Sequence, residues 1–282
     1  MPPVDIDATV IANARLSRDY SVLSLAAPEV GARTQPGQFV MVKPAGAGDP
    51  LLRRPFSVFE VLRDSRGTIT GVSILNKRAG RSTNKLYDLD IGDVVSCLGP
   101  LGQPFKPVSP PTQAWMVAGG VGLAPFATLA ETLAAAKTPT TLFYGARTGE
   151  ELFYLEFFER LGLTLALATE DGGRGVKGRI TLPLEQALKT VAAGGLSTEA
   201  PGAKVGLMVY ACGPEPMLEA VAKLAARYHQ PSQVSVERVM GCGLGGCYSC
   251  VVPVKHGHEE ANLVRSCISG PVFDGAELVW DE

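Results

Sequence analysis

The chain has 282 residues, more than a single hydrophobic core usually organises, so two or three domains are expected. Hydrophobic residues make up 46% and charged residues 19%, which excludes a disordered chain. The formal net charge of −2 excludes a generally basic nucleic-acid-binding protein. No secretion signal is evident at the start, and the most apolar stretch, 114–136, is interrupted by glycines and a proline. We therefore expect a cytoplasmic protein without a membrane span.

The first 103 residues have the pattern of a small antiparallel β-barrel. Short apolar segments alternate with turns such as Gln35-Pro36-Gly37 and Arg66-Gly67. Short strands at this spacing are typical of barrels. Six strands are predicted: Ala8–Asn13, Tyr20–Ala26, Gln38–Lys43, Phe56–Val61, Gly71–Leu75 and Asp93–Leu98.

A proline-rich linker, 105–113, leads into a region where strands and helices alternate, which predicts a parallel sheet with crossover helices. From about residue 230 a compact tail follows. The chain is therefore predicted to have three domains, residues 1–103, 104–229 and 230–282. The predicted elements after the linker are the strands Ala114–Ala118, Thr140–Tyr144, Thr164–Thr169, Val205–Ala211 and Glu277–Trp280, the helices Glu150–Leu161, Pro183–Ala192 and Pro216–Tyr228, a helix ending near Ala136, and a surface loop over Ala193–Ala203.

Four of the six cysteines lie in the tail, and their spacing is x4, x2 and x16. Three thiolates on a short loop and a fourth from a later segment can surround two irons, and this is the plant-type [2Fe–2S] spacing. The glycines between them allow the loop to fold closely and to direct backbone N–H groups at sulfur atoms. Zinc and structural thiols or disulfides are the alternatives, although a zinc knuckle favours two close cysteine pairs. The four candidate ligands are Cys242, Cys247, Cys250 and Cys267.

Two segments of the barrel region are candidates for a flavin site. Arg54 can pair with a pyrophosphate through its planar guanidinium, Phe56 two residues on can cover a flat ring, and Ser57 can donate to a flavin nitrogen. In Gly80-Arg81-Ser82-Thr83, a glycine and two hydroxyls precede a short predicted helix, and together they favour a phosphate. The alternatives are a surface arginine with an ordinary strand, and simple N-capping by a hydroxyl.

Two turns of the α/β region are candidates for a nicotinamide site. Gly119-Gly120-Val121-Gly122 and Cys212-Gly213 each follow a predicted strand, so both are expected at the carboxyl edge of the sheet, where α/β ligands bind. The first turn lacks the G-x-G-x-x-G spacing of the common dinucleotide-binding motif. The alternative interpretation of Cys212 is an ordinary buried thiol without a cofactor role. Glu170-Asp171-Gly172 can contact a ribose. Arg147 is followed by two glutamates, a poor pocket for a 2′-phosphate, so NAD is favoured over NADP.

In this order the motifs resemble the ferredoxin–NADP reductase superfamily and, more closely, the electron-transfer subunits of NAD-dependent dihydroorotate dehydrogenases, over nearly the whole chain. The resemblance implies FAD on the barrel, NAD(H) on the α/β domain and a [2Fe–2S] cluster in the tail. Phe56 stands where many members have tyrosine. By motif match, the resemblance implies cofactor-binding roles for Arg54, Pro55, Phe56, Ser57, Gly80, Ser82, Thr83, Gly119, Gly120, Gly122, Cys212 and Gly213, with Ser57 at the flavin ring and Cys212 at the nicotinamide as the catalytic residues.

The resemblance also implies a partner. In the family, a catalytic subunit oxidises dihydroorotate on its own FMN, and electrons reach NAD through the cluster and FAD. We therefore expect an FMN-containing dihydroorotate dehydrogenase catalytic subunit, a heterotetramer and a role in pyrimidine biosynthesis. Two alternatives stay open. One is a flavin–iron–sulfur subunit of a ferredoxin:NADP oxidoreductase or sulfide dehydrogenase, some of which have Asp where this chain has Cys242. The other is a zinc-stabilised binding module.

Overall fold

The computed structural model describes residues 2–45, 50–194, 205–257 and 260–280. Contacts between Cα atoms divide the chain into two compact units. Met1–Phe105, Arg238–Val251 and Val264–Pro271 form the barrel unit, and Lys106–Glu237, Val252–Leu263 and Val272–Glu282 form the sheet unit. All four tail cysteines therefore belong to the barrel unit. No helix in these described ranges is long and apolar enough to cross a membrane.

A closed, six-stranded antiparallel barrel forms the base of the barrel unit, which confirms the predicted fold of this region. Its strands are β1 (Val4–Arg15), β2 (Tyr20–Ala26), β3 (Phe39–Pro44), β4 (Arg54–Arg63), β5 (Ile69–Lys77) and β6 (Val94–Leu101), and its helices are α1 (Pro28–Arg33) and α2 (Arg81–Asp88). The strand order around the barrel is β1-β2-β5-β4-β3-β6. Strand β3 therefore lies between β4, which carries the first candidate flavin motif, and β6.

Strand β3 is apolar on both faces because both faces are covered. Val40 and Val42 pack into the barrel interior. Alternate residues of a strand point to opposite sides, so the remaining apolar side chains of β3 face outward. There they join a second buried cluster that includes two of the tail cysteines. This outer cluster consists of Phe39, Met41, Leu98, Leu101, Met240, Cys250 and Cys267. Burial of each large side chain contributes roughly 1.5–3 kcal/mol, so the tail segments are fixed to the barrel wall.

A seven-stranded sheet forms the base of the sheet unit, and its α/β character is as predicted. Its elements are the strands β7 (Gln113–Gly119), β8 (Thr140–Ala146), β9 (Thr164–Thr169), β10 (Val176–Lys177), β11 (Leu207–Cys212), β12 (Ser232–Ser235) and β15 (Val272–Asp274), and the helices α3 (Phe126–Ala135), α4 (Leu155–Arg160), α5 (Thr181–Gly194) and α6 (Glu215–Arg227). The order is β10-β9-β8-β7-β11-β12-β15, and each neighbouring pair is parallel except β12 with β15. After β7, the chain adds β8, β9 and β10 on one side, and β11, β12 and β15 on the other side. The direction of the strand order therefore reverses between β7 and β11, and this position is a topological switch point.

The remaining elements are short. A ribbon is formed by β13 (Val251–Val254) and β14 (Asn262–Arg265), and helix α7 (Ser266–Ser269) carries the last tail cysteine.

Three predicted elements differ from the structure. The predicted strand Glu277–Trp280 is wrong: Asp274 accepts a hydrogen bond from the Ala276 N–H, the chain turns there, and the strand is β15 instead. The predicted helix Glu150–Leu161 is shorter, because Tyr154 takes a left-handed φ of 58° immediately before α4. Of the predicted loop Ala193–Ala203, the first two residues continue α5, and the rest lie outside the described residues.

Candidate functional site

The four tail cysteines lie as two pairs of thiols. Cys247 lies beside Cys242, and Cys267 lies beside Cys250 and within electrostatic reach of Cys242. Cys250 and Cys267 are buried, whereas Cys242 is half-buried and Cys247 is exposed. Two thiolates on each of two irons is the ligand arrangement of a [2Fe–2S] cluster. Within the described ranges, no three His, Cys, Asp or Glu side chains form a group that could hold a single metal ion. The paired donor set fits the two-iron cluster.

The loop between Cys242 and Cys247 directs backbone N–H groups at cysteine sulfur atoms. The Leu244 N–H donates to the Cys242 Sγ at 3.3 Å, and the Gly245 N–H donates to Cys267. Gly243 has a φ of 72°, and a Cβ there would lie 2.7 Å from the Cγ of Met41. Glycine is therefore required both by the turn and by the close approach of the loop to β3.

The pKa values of the thiols differ because their surroundings differ. Hydrogen bonds from the Ser249 hydroxyl and backbone N–H lower the pKa of Cys247 to about 6. Burial, together with the neighbouring Cys250, raises the pKa of Cys267 to about 12. Cys247 therefore loses its proton at a lower pH than Cys267. A thiolate is the form of cysteine that binds a metal.

Arg265 ties the two cysteine-bearing segments together, and sequence reasoning did not identify it. Its Nη1 donates to the carbonyl oxygen of Gly245 at 2.7 Å, and its guanidinium carbon lies 4.8 Å from the ring centre of Tyr248. The only sequence indication is a cation two residues before Cys267, and no motif required one there.

The structure distinguishes the two adjacent arginines at the start of β4. Arg53 forms an ion pair with Asp5 of β1 at 2.5 Å and donates to the hydroxyl of Ser96 of β6 at 2.8 Å. Its side chain therefore stabilises the barrel. Arg54 is exposed, and its Nη1 donates to the carbonyl oxygens of Leu52 and Arg53. Arg54 is therefore the arginine whose guanidinium fork can turn to an anionic ligand.

The next residues of β4 project to opposite faces. Phe56 is half-buried and packs against the barrel interior, so its ring is only partly available to a flavin. Pro55 and Ser57 pair with Met41 and Phe39 of β3. Directly paired residues share one face of a sheet, so Pro55 and Ser57 stand on the face that carries the outer cluster. The flavin role of these residues stays a prediction.

At the start of α2, Thr83 acts as a capping residue, whereas the position of Gly80 is open to a ligand. The Thr83 Oγ1 accepts the N–H groups of Ala79 at 2.8 Å and Gly80 at 3.0 Å, so this hydroxyl shapes the loop, as its capping alternative requires. Ser82 is buried. A side chain at Gly80 would meet no atom within 4 Å, so this position is open to a ligand.

At the switch point of the sheet unit, the two candidate turns contact each other. A Cβ on Gly122 would lie 2.2 Å from the carbonyl oxygen of Cys212, and one on Gly119 would lie 2.7 Å from the Sδ of Met217. Gly120 has a φ of 55° and open space around it. Two of these glycines are thus required for the turns to pack together, while Gly120 is the position where a dinucleotide can approach.

Cys212 ends β11 beside Ser235 of β12, with which it pairs in register. Burial raises the pKa of the Cys212 thiol to about 12, although a hydrogen bond with Ser235 opposes this. The group is therefore neutral at physiological pH, so it can pack against a nicotinamide ring but is a poor nucleophile. The following Gly213 has a φ of 158° and contacts Gly119.

A cavity of about 480 Å³ opens where β8 and β9 end, and its lining includes Glu150, Asp171 and Arg174. The N–H of Gly173 lowers the pKa of Asp171, so that this exposed carboxyl stays ionised and accepts hydrogen bonds. Nearby, Arg147 is held by Glu151 at 2.6 Å. Carboxylates suit the hydroxyl groups of a ribose better than they suit a phosphate.

Three protein families match successive parts of the chain. Residues 7–105 match the oxidoreductase FAD-binding domain, residues 116–223 the oxidoreductase NAD-binding domain, and residues 237–279 the iron–sulfur cluster binding domain of dihydroorotate dehydrogenase B. With the barrel, the sheet and the paired cysteines, these matches define an oxidoreductase subunit that combines flavin, nicotinamide and iron–sulfur domains. The chain belongs to the family of dihydroorotate dehydrogenase B electron transfer subunits.

Curated relatives match over nearly the full length. The dihydroorotate dehydrogenase B (NAD(+)) electron transfer subunit of Bacillus caldolyticus is 38% identical over 274 residues, covering 95% of this chain and 96% of that protein. The corresponding subunit of Desulforamulus reducens is 32% identical over 275 residues, covering 98% of both. Among solved structures, an NADH-dependent reduced ferredoxin–NADP oxidoreductase aligns with a TM-score of 0.79 and 25% identity, covering 97% of this chain and 90% of that one.

Cys247→Ala is expected to abolish the iron–sulfur absorption and to leave FAD bound, because the candidate cluster and flavin ligands lie on separate segments. Absorption spectra and iron content of the purified variant measure both. Cys97→Ala, which removes a buried thiol of the barrel interior, serves as the control and should keep the cluster. A full iron–sulfur spectrum in Cys247→Ala would contradict the ligand assignment.

Arg54→Ala is expected to weaken FAD retention, since a charge-assisted hydrogen bond typically contributes about 1.5–3 kcal/mol. Flavin remaining after dialysis is the measurement. Arg63→Ala removes the exposed arginine at the other end of β4 and should leave FAD binding unchanged. Equal retention by the two variants would remove Arg54 from the pyrophosphate site.

Proposed function

We propose that the chain carries electrons from an FMN-containing dihydroorotate dehydrogenase catalytic subunit to NAD, in a cytoplasmic heterotetramer that serves pyrimidine biosynthesis. In the complete reaction, dihydroorotate and NAD⁺ give orotate, NADH and a proton, so two electrons leave the substrate and enter the nicotinamide. The observation that carries this proposal is the outer cluster, in which the wall of the flavin-domain barrel and two candidate cluster ligands share one buried core.

Bound FAD supplies the exchange between the two-electron chemistry of NAD(H) and the one-electron chemistry of an iron–sulfur cluster. The chain's residues hold and orient these groups. Arg54 binds the FAD pyrophosphate. The open position at Gly80, in the second candidate phosphate segment, leaves room for the FAD phosphates. On the sheet unit, Gly120 faces the NAD pyrophosphate, and the neutral Cys212 packs at the nicotinamide. The four tail cysteines hold the cluster.

Strand β3 supports a short route between the flavin and the cluster. Ser57, at the proposed flavin ring, pairs directly with Phe39 of β3. Phe39 and Met41 in turn pack in one buried core with Cys250 and Cys267. One strand width, about 4.8 Å, separates paired backbones in a sheet. This pairing and this buried core support a proposed flavin site and a proposed cluster site that are close together on the barrel wall.

The surface around the cysteine loop fits the proposed catalytic subunit. Leu244 is 55% exposed and Tyr248 is 63% exposed, and both flank the exposed Cys247. Ile268, beside the last cysteine, is also exposed. Apolar side chains grouped at an accessible redox group favour a protein partner over solvent. A stable interface there would bury about 1,000 Å² or more.

The second candidate function is that of a subunit linked to ferredoxin and NADP. The likeness to the NADH-dependent reduced ferredoxin–NADP oxidoreductase supports it. The two candidate functions predict different coenzymes and different partners, and both differences can be measured.

NADH is expected to be a much better electron donor than NADPH, because Arg147 is neutralised by Glu151 and because the neighbouring cavity is lined by two carboxylates and a single arginine, Arg174. Dye reduction gives kcat/KM for each coenzyme. Glu151→Gln removes the negative partner of Arg147 and should raise the efficiency with NADPH relative to NADH. Comparable efficiencies in the unmodified chain would favour the NADP-linked function.

The chain alone should oxidise NADH with an artificial acceptor yet not turn over dihydroorotate. Mixing it with a dihydroorotate dehydrogenase catalytic subunit is expected to give NAD-linked orotate formation. Tyr248→Asp, which places a charge in the proposed docking surface, should weaken this coupling and leave NADH–dye activity intact. No gain on mixing with the cognate catalytic subunit, or NAD-linked activity of that subunit alone, would favour the ferredoxin-linked function.

A further inference from the structure

We propose that Ser249 is a positioning residue that raises the reduction potential of the cluster by donating a hydrogen bond to the sulfur of Cys247. The inference rests on the assignment of the four tail cysteines to a [2Fe–2S] cluster, and it does not depend on which partner the chain binds. The residue lies between two of the candidate ligands, yet no motif identified it in the sequence.

Iron ligation by Cys247 sets the direction of this hydrogen bond. The Ser249 Oγ lies 3.1 Å from the Cys247 Sγ, and it accepts the N–H of Gly241 at 3.0 Å. A hydroxyl has one hydrogen and two lone pairs. The Gly241 N–H occupies a lone pair, so the hydrogen is free to point at sulfur. A cysteine that ligates iron is a thiolate without a hydrogen, and Ser249 must then be the donor.

A donor at this sulfur favours the reduced cluster. Reduction adds one negative charge, which is shared with the ligand sulfur atoms, and a hydrogen bond to sulfur stabilises that charge. The Ser249 side chain is exposed, so water competes with it. We therefore expect a shift of up to roughly tenfold in the one-electron equilibrium, which corresponds to about 59 mV.

The loop keeps other donors when the hydroxyl is removed. The backbone N–H of Ser249 also bonds to Cys247, and the N–H of Leu244 bonds to Cys242. These amides do not depend on the side chain at position 249. A variant without the hydroxyl is therefore expected to assemble the cluster, and its potential reports on the hydroxyl itself.

The test is an anaerobic redox titration of the full chain, loaded with FAD and cluster and followed by the electron paramagnetic resonance of the reduced cluster. Ser249→Ala should lower the midpoint potential. Ser249→Thr keeps the hydroxyl and should restore it, whereas Ser249→Val, which has nearly the shape of threonine, should not. Ser269→Ala is the matched control, because Ser269 is also exposed and lies two residues from Cys267.

Unchanged potentials in Ser249→Ala and Ser249→Val would overturn the proposal, as would an equal shift in Ser269→Ala. Loss of the cluster from the alanine and valine variants, but not from threonine, would assign the hydroxyl to loop assembly and would also overturn it. An unmodified chain without any iron–sulfur spectrum would contradict the cluster assignment itself. These failures differ from a failure to couple with a catalytic subunit, which leaves the potentials unaffected.

Discussion

The burial of Cys250 and Cys267 against the outward face of β3 is the interaction on which the rest of the site depends. A free tail could place a cluster anywhere relative to a flavin. Here, apolar side chains from β3 and β6 and the last cysteines exclude water from one another, and the hydrophobic effect fixes the cysteine-bearing segments to the barrel. The same strand pairs with the candidate flavin strand β4, so a single element contacts both candidate redox sites.

This burial also explains why two of the four cysteines are buried and the other two are accessible to solvent. The buried pair faces the barrel, while Cys242 and Cys247 lie toward solvent among exposed apolar residues. Such an arrangement would give a bound cluster an inner side, toward the barrel, and an outer side, toward solvent. Arg265 and the glycines of the loop maintain it by tying the two segments together and by allowing the loop to lie close to Met41.

Much of this fold follows from local patterns in the sequence. The six barrel strands and the alternation of strands and helices are predictable because their periodicities are strong and local. The cysteine spacing likewise predicts the cluster ligands, since ligand chemistry restricts the spacing. The contacts that join distant segments are not predictable in this way. No local sequence pattern indicates that Phe56 packs inward, that Arg53 forms an ion pair with Asp5, or that Gly122 packs against the Cys212 carbonyl. The alternation at Glu277–Trp280 was misleading because the turn after Asp274 ends the strand before it.

The proposed function requires electrons to pass between the flavin and the cluster across the barrel wall. The direct measurement is an anaerobic titration of the purified chain with NADH, in which flavin absorption and the electron paramagnetic resonance of the cluster are recorded together. NADH should reduce both groups, with the cluster following the flavin without a catalytic subunit present. Full reduction of the flavin by NADH while a cluster of accessible potential stays oxidised would contradict it.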